Sequence, residues 1–453
     1  MPTREETPRT TDDQQRTPQR IVVVGSGFAG FEAARGLSRR LRRASVDAEI
    51  VLISPDDYML YTPLLPEVAG GLLDPRYVAV PLPNALPDVH LRPGRVVSAN
   101  LDAHTLQLRE AIAGTSEMHW DRLVLTPGSV TRLFDVPGLA DHAHGLKNVA
   151  EALYLREHFL REIELADHDP DEARRTARRT AVVVGASYAG TELVAQLRAL
   201  ADSYAAARDR DVGDYRFVLL DAADRVMPEV GDKLSDRVLQ HLRSRDIDVH
   251  LGCSLEQVTE DSARMTDGTT VPTHTIAWLT GVTAAPLVGN LGLPMTKGRL
   301  DVETDLSLPG HPDVFAAGDA AAVPDVTQSG QITPPTAQHA TRQGRVVARN
   351  VAASLGVGTR IDYEHRNLGL VVDLGPGFAV ANPLGIPLAG HPAKAVTRAY
   401  HLAALPHAPN RWATGLAYLR DTVAKRPMSL LGLVSSEAAS FRSSEDIAHQ
   451  DSV

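Results

Sequence analysis

The stretch Ile21-Val-Val-Val-Gly-Ser-Gly-Phe-Ala-Gly30 decides how this chain is read. Four β-branched residues in a row are stiff at χ1 and suit a short, buried strand. The glycines that follow are spaced G-x-G-x-x-G, and Phe31 to Leu41 continues as a helix. In a strand–turn–helix of this kind Gly25 permits the tight turn, Gly27 lets a pyrophosphate approach the backbone, and Gly30 lets helix and strand pack closely. The helix start presents unpaired N–H groups and the positive end of its dipole to the phosphates.

A second turn of the same build, Ala181-Val-Val-Val-Gly-Ala-Ser-Tyr-Ala-Gly190, follows 160 residues later. Here Gly185 and Gly190 keep their places, and Ser187 stands in the middle position with a hydroxyl near the phosphates. One such loop is a weak signal, because βα turns often carry glycine. Two predict two dinucleotides and electron transfer between them. Each loop leads to a second strand. Phe217-Val-Leu-Leu-Asp221 ends in an acid that suits a ribose 2′-OH and would repel a 2′-phosphate, which favours NADH over NADPH. Arg225 is the residue that could still accept NADPH. The strand Glu49–Ile53 ends at Ser54, where an acid normally holds the adenosine ribose. A serine hydroxyl can bond that ribose without charge assistance, and Asp56 or Asp57 could take over.

Further along, Thr275-Ile-Ala-Trp-Leu-Thr-Gly281 reads as a strand entering a glycine turn, and Asp313-Val-Phe-Ala-Ala-Gly-Asp319 as an apolar strand stopping at Gly318-Asp319 ahead of a small-residue helix. Asp319 is then either a helix cap or a ligand contact. The fold class expected is α/β, with two Rossmann-like dinucleotide-binding domains and a C-terminal region carrying an amphipathic helix.

Composition narrows the function classes. At 453 residues the chain has room for two or three domains with substantial cores. A net charge of −10 argues against nucleic acid as a partner. Cys253 is the only cysteine, so an internal disulfide, a CxxC redox pair and a multi-cysteine metal site are all excluded, and no metal site is expected. It is placed on a strand from residue 248 to 253 and read as a buried apolar side chain. Residues 1–19 are polar throughout and read as a disordered tail without the apolar core of a signal peptide. No apolar run approaches the roughly 20 residues that span a bilayer, so the protein is expected to be soluble or peripheral. Residues 167–179 read as a solvated, charged linker, and the helix from Tyr188 is expected to stop near Ala201, before a polar insertion through Gly213.

Taken together, these parts resemble the two-dinucleotide-binding-domain flavoproteins of the pyridine nucleotide-disulfide oxidoreductase superfamily. The resemblance implies FAD on the first loop (Gly25, Gly27, Phe28, Ala29, Gly30, with Ser54) and NAD(P)H on an inserted domain carrying Gly185, Ser187, Gly190, Asp221 and Gly281. It implies a return to the FAD domain at Gly318-Asp319, whose acid holds the flavin ribitol. Leu125-Thr-Pro-Gly128 resembles the Ala-Thr-Gly strand end that meets FAD there, which brings in Thr126 and Gly128, with Pro127 as a departure from the pattern. Arg95-Val96 lies where the adenine-contacting segment falls. The domains follow: 1–19 tail, 20–165 with 300–360 for FAD, 180–299 for NAD(P)H, 361–435 as a C-terminal membrane-association region, and 436–453 as a flexible tail.

Within that superfamily the chain is similar to type II NADH:quinone oxidoreductases. The likeness rests on Tyr58-Met-Leu-Tyr-Thr-Pro-Leu-Leu-Pro-Glu-Val-Ala69, on Glu192, and on Pro334-Pro-Thr-Ala-Gln-His-Ala340, which contains Ala337 and Gln338. It implies that NADH gives a hydride to FAD and that a quinone then takes two electrons. In that scheme Gln338 bonds a quinone carbonyl, and Glu192 organises the site or relays protons. Without the likeness, Glu192 reads as a solvated helix residue and His339 as a packing or surface histidine. Between residues 391 and 434 six Lys or Arg stand against one Asp. Trp412, Leu416, Leu419 and Val423 make one apolar helical face, with Arg411, Arg420, Lys425 and Arg426 around it and the patch Met428–Val434 beyond, a pattern that suits a helix lying in a membrane interface. The placement expected is cytoplasmic, peripheral on the inner face of the cell membrane. A helix packed on the FAD domain and a homodimer contact are the other uses of that face. Two other functions stay open: a soluble NAD(P)H oxidoreductase with a ferredoxin, oxygen or small-molecule acceptor, and a low-turnover redox-responsive flavoprotein.

Overall fold

The computed structural model describes residues 18–110, 114–365, 368–424, 426 and 428–441. Most of the two expected tails, and Lys425, lie outside these residues. The β-branched run forms the strand Gln19–Val24, with Ile21, Val22 and Val23 fully buried. It is a central strand of a six-stranded sheet in the order Ser307–Leu308, His311–Ala316, Arg122–Leu125, Gln19–Val24, Ala48–Ser54, His90–Pro93. All neighbours pair in parallel except the Ser307–Leu308 edge. Strand order reverses between Gln19–Val24 and Arg122–Leu125, and in a doubly wound sheet the ligand crevice opens beyond the strand ends at such a point. Helix α1 (Phe28–Ala44) leaves from that crevice. Helix α2 (Leu65–Ala69) and helix α3 (Val149–Ala166) instead share a core with the second half of the chain, where Leu65, Val68 and Phe159 meet Leu193 and Leu197.

The second glycine turn has its own four-stranded parallel sheet, ordered Ile247–Leu251, Arg216–Asp221, Thr180–Val184, Thr275–Trp278, and helix α4 (Tyr188–Arg208). The strands Ser129–Thr131 and Val282–Ala284 pair antiparallel where the chain crosses from one sheet to the other and back. Helix α5 (Ala337–Ser354) returns to lie on α1. Beyond it come the small antiparallel sheet Val371–Asp373, Ala379–Ala381, Leu388–Ala389 and two helices, α6 (His391–Ala404) and α7 (Ala408–Val423).

Four local expectations are corrected. Residues 167–179 are no free linker: Asp171 caps the short helix Glu172–Arg178, while Asp169 binds Arg174 at 2.9 Å and Arg178 at 3.2 Å. The charges that suggested solvation are used in ion pairs. Helix α4 runs on to Arg208, because Tyr204 and Ala205 still have core to bury. Cys253 is buried as expected but follows the strand Ile247–Leu251 instead of lying on it. Asp319 sits in a single 3-10 turn, Gly318–Ala320, and the helix that was expected next begins only at Ala337 under a Thr336 cap, so Asp319 is no cap of that helix.

Candidate functional site

At the first glycine turn each glycine has a different reason to be one. Gly25 has φ +95°, and a Cβ there would stand 2.2 Å from the Thr126 carbonyl oxygen. A Cβ on Gly30 would stand 1.9 Å from the Gly25 carbonyl oxygen. Gly27 is the exception: nothing lies within 4 Å of the place its Cβ would take. Gly27 also caps α1 with no side-chain bond, and the first turn of α1 holds no acid. An uncapped helix start with open space beside Gly27 fits a dinucleotide pyrophosphate. The backbone around it is locked: Thr126 Oγ1 donates to the Val24 carbonyl at 2.7 Å, and a Cβ on Gly344 of α5 would meet the Ala29 carbonyl oxygen at 2.3 Å.

The other residues expected on this side are placed as follows. Gly318 N–H donates to Gln343 at 2.8 Å, and Asp319 accepts the Ser129 hydroxyl at 2.5 Å. The Lys147 ammonium donates to the same hydroxyl oxygen at 2.9 Å, and burial holds its pKa below the usual lysine range. Ser54 is buried, its hydroxyl 2.8 Å from Ser26 Oγ and accepting the Asp56 N–H at 3.3 Å, so part of its capacity is already used. Val96 is buried in the core of the first half, Gly128 has open space at its Cβ, and Phe28 meets Tyr61 edge-on with centroids 5.7 Å apart.

The second turn repeats the packing logic. Cβ atoms on Gly185 and Gly190 would come within 2.7 Å of Leu279 and 1.8 Å of Gly185 backbone oxygens. Ser187 occupies the cap position of α4 and makes no cap bond, leaving its hydroxyl and the helix N–H groups to a ligand. Asp221 accepts Ala186 N–H at 2.5 Å and Ala223 N–H at 2.8 Å, which fixes the second glycine turn, and it lines the cavity beside that turn. Arg225, the residue that could accept a 2′-phosphate, is paired with Asp232 at 2.8 Å.

That cavity, about 1100 Å³, is where the expected residues converge. Gly185, Ser187, Asp221, Gly281, Glu192, Ala337 and Gln338 all line it, whereas the glycines of the first turn do not. Gln338 donates to the Gly369 carbonyl at 3.0 Å, and its oxygen takes a long bond from Arg342 at 3.4 Å. Glu192 is no solvated residue. It is buried, Oε1 accepts Asp373 N–H at 2.8 Å, and desolvation holds its pKa well above the usual carboxylate range. Asp373 in turn binds Lys394 Nζ at 2.6 and 2.5 Å and Gln196 at 3.1 Å. His401, beside Glu192 on the cavity wall, is 3.1 Å from the Tyr61 hydroxyl, and burial lowers its pKa to about 4. His339 is a packing histidine, 2.8 Å from the Tyr363 hydroxyl and stacked on His365.

Sequence reading missed Tyr61, Glu67, Asp373, Lys394 and His401. For Glu67 a signal existed, an acid interrupting the apolar run Leu64–Ala69. Asp373 carried none and Lys394 counted only as one of the six basic residues of 391–434, since only the fold pairs them.

On the outside of the third region, Trp412, Leu416, Leu419 and Val423 are 63–81% exposed, so α7 does not turn that face towards its own protein. Its other face, Asn410, Thr414, Ala417 and Tyr418, is buried. Leu431 and Leu433 extend the exposed apolar surface, whereas Met428 and Leu430 pack inward. Arg411 and Arg420 flank the face as expected. Arg426 does not: it is buried, donating to the Gly70 carbonyl at 2.7 Å and facing Asp421 at 3.5 Å. Among the described residues no helix is long and apolar enough to cross a membrane.

Comparison with known proteins adds four findings. The family model of the pyridine nucleotide-disulphide oxidoreductases matches residues 19–344. The type II NADH:quinone oxidoreductase Ndh of Mycobacterium tuberculosis (strain ATCC 25618 / H37Rv) is 31% identical over 403 residues, covering 85% of this chain and 84% of that protein. The demethylphylloquinone reductase NdbB of Synechocystis sp. is 28% identical over 406 residues, covering 88% and 95%. Among solved structures, NDH2 from Plasmodium falciparum in complex with NADH superposes with a TM-score of 0.82 at 16% identity, over 91% of this chain and all of that one, a likeness of fold.

Proposed function

The chain belongs to the pyridine nucleotide-disulphide oxidoreductase family and, within it, to the type II NADH:quinone oxidoreductases, and on that premise we propose that it oxidises NADH and reduces a membrane quinone with FAD as its resident cofactor. Residues 20–165 and 300–360 hold FAD, through Gly25, Gly27 and Gly30 at the pyrophosphate and Asp319 at the ribitol. When bound there, FAD accepts a hydride and passes on two electrons. Residues 180–299 hold NADH, its phosphates at Gly185, Ser187 and Gly190 and its adenosine ribose at Asp221. The paired Arg225 and the acid at 221 favour NADH over NADPH.

The observation that carries this reading is one cavity lined by the second glycine turn, by the buried Glu192 and by Gln338. Reduction of a quinone by NADH consumes one proton beyond the hydride. A carboxyl kept neutral by desolvation holds such a proton where solvent is excluded. Glu192 keeps it beside the cavity, and the Gln338 amide orients the acceptor carbonyl. Cys253 is the chain's only cysteine, so no thiol pair carries electrons. In this reading the protein is peripheral on the cytoplasmic face of the cell membrane, with the exposed face of α7 in the bilayer interface and Arg411 and Arg420 on lipid phosphates, a reading that the apolar, cation-flanked surface of α7 supports.

Stopped-flow spectroscopy on the flavin-loaded protein tests this. NADH is expected to bleach the flavin faster than NADPH, and a quinone in lipid vesicles to restore the colour at a rate that supports turnover. Restoration by oxygen or a ferredoxin with none by quinone would refute it.

A further inference from the structure

Helix α2 carries an acid that the reaction has not yet used. Glu67 lies among Leu64, Leu65, Val68 and Ala69, all buried, and is itself 2% exposed. Neither of its carboxyl oxygens lies within hydrogen-bonding geometry of a partner among the described residues, and the Tyr418 hydroxyl of α7, itself otherwise unpartnered, is the donor that faces it. An ionised carboxylate in that setting would forfeit its hydration for only the Tyr418 hydroxyl and the fields of Lys394 and Arg398, which burial outweighs, so the neutral acid is favoured.

The surrounding charges lead to the same result. The titratable groups facing Glu67 are Tyr61 ahead of it, Glu192 on α4, Asp373 on its strand, Lys394 and Arg398 on α6, Tyr418 on α7, and Arg426 after α7. Lys394 is taken by Asp373, while Arg398 and Arg426 share Asp421 at 2.9 and 3.5 Å. After those pairings one positive charge is left for two carboxyls, Glu67 and Glu192. The pair therefore holds at least one proton, and ionising either acid raises the pKa of the other. Burial, then Asp373, pushes Glu67 up to about 8.

We propose that Glu67 is a second proton-holding carboxyl behind Glu192, which refills Glu192 after each reduction of the acceptor. The inference rests on the quinone-reducing function proposed above. The balance is that of NADH oxidation by a quinone: NADH supplies two electrons and one proton, and the reduced acceptor takes up two protons in all. Glu192 gives the second proton to the acceptor oxygen, Glu67 returns one to Glu192, and bulk water restores Glu67. Glu67 does not line the cavity and acts only through Glu192.

Glu67→Gln in the full-length, flavin-loaded protein keeps the shape and neutrality of the protonated acid, so the fold is retained. Flavin bleaching by NADH and turnover with ferricyanide, which takes electrons without protons, should stay at wild-type rates. Quinone turnover should fall about a hundredfold, the loss expected when a proton-transfer group is removed, and the alkaline limb near pH 8 should vanish. Glu67→Asp should recover part of the rate. Unchanged quinone turnover with an unchanged pH profile, or an equal fall with ferricyanide, would overturn the proposal. Infrared titration supplies a readout independent of the acceptor. A protonated-carboxyl band that fades as pH rises through about 8 should be present in the wild type and missing in Glu67→Gln, and its presence in both proteins refutes proton storage at this residue. A wild-type protein that reduces ferricyanide but no quinone refutes the assigned acceptor, while that band still decides the role of Glu67.

Discussion

Helix α7 offers the most direct test of membrane attachment, through the double substitution Leu416→Ser with Leu419→Ser. Both side chains are more than 60% exposed, so replacing them should change folding stability by no more than about 0.5 kcal/mol. On a bilayer the same side chains enter the acyl boundary. Full burial of a leucine is worth roughly 1.5–3 kcal/mol, and scaling by exposures of 64% and 63% gives roughly 1–2 kcal/mol each. The pair then contributes roughly 2–4 kcal/mol, which corresponds to a loss of about 30- to 1000-fold in the vesicle partition coefficient. Sedimentation with vesicles containing anionic lipid measures it directly. Arg411→Gln and Arg420→Gln should each cost about 1 kcal/mol on anionic lipid and little on neutral lipid. The reasoning fails if the double variant pellets with wild-type affinity. It fails equally if the wild type ignores vesicles yet forms a dimer that the substitutions abolish, since the apolar face would then belong to a second copy of the chain.

Two further predictions concern the cofactor cradle and pH. Gly27→Ala should leave the thermal melt of the flavin-free protein unchanged, because its Cβ enters open space, yet weaken flavin retention; Gly30→Ala, with its Cβ 1.9 Å from a backbone oxygen, should damage the fold itself. Comparing apo melts and flavin content of the two variants separates these effects. Stability should also turn over with pH. His144, His339 and His401 are held neutral down to about 4 by burial, so the unfolded chain binds more protons and stability rises with pH up to about 6.5. Glu67 and Glu192 keep their protons in the fold above the usual carboxylate range, so their contribution runs down from about 4.5 to about 8 for Glu67 and is the one still changing above 6.5. Melting temperatures should therefore fall between about pH 6.5 and 8, and Glu67→Gln should flatten that fall.

The two strand–glycine turn–helix units were legible because each is written in ten consecutive residues, with strand, turn and helix start all local. The apolar face of α7 was legible for a similar reason, since a period of three and four maps onto one side of any helix. Arg426 shows where that reasoning ends. Its position in sequence put it beside the apolar face, but the chain leaves the helix at Val423 and carries the guanidinium inward to Gly70 and Asp421. The charged stretch 167–179 failed likewise, because a run of opposite charges reads the same whether water or partner side chains satisfy it.

Glu192 divides the two kinds of knowledge most clearly. Its place two residues past Gly190 follows from the sequence, as do both glycine turns, the acid at 221, the lone cysteine and the amphipathic α7, because backbone geometry and helical period act over a few residues. That Glu192 is buried, bonded to Asp373 and balanced against Lys394 and Glu67 is decided by the tertiary structure alone. A carboxyl's proton affinity depends on the water removed and the charges brought near, and here those arrive from residues 67, 373 and 394, on three separate elements.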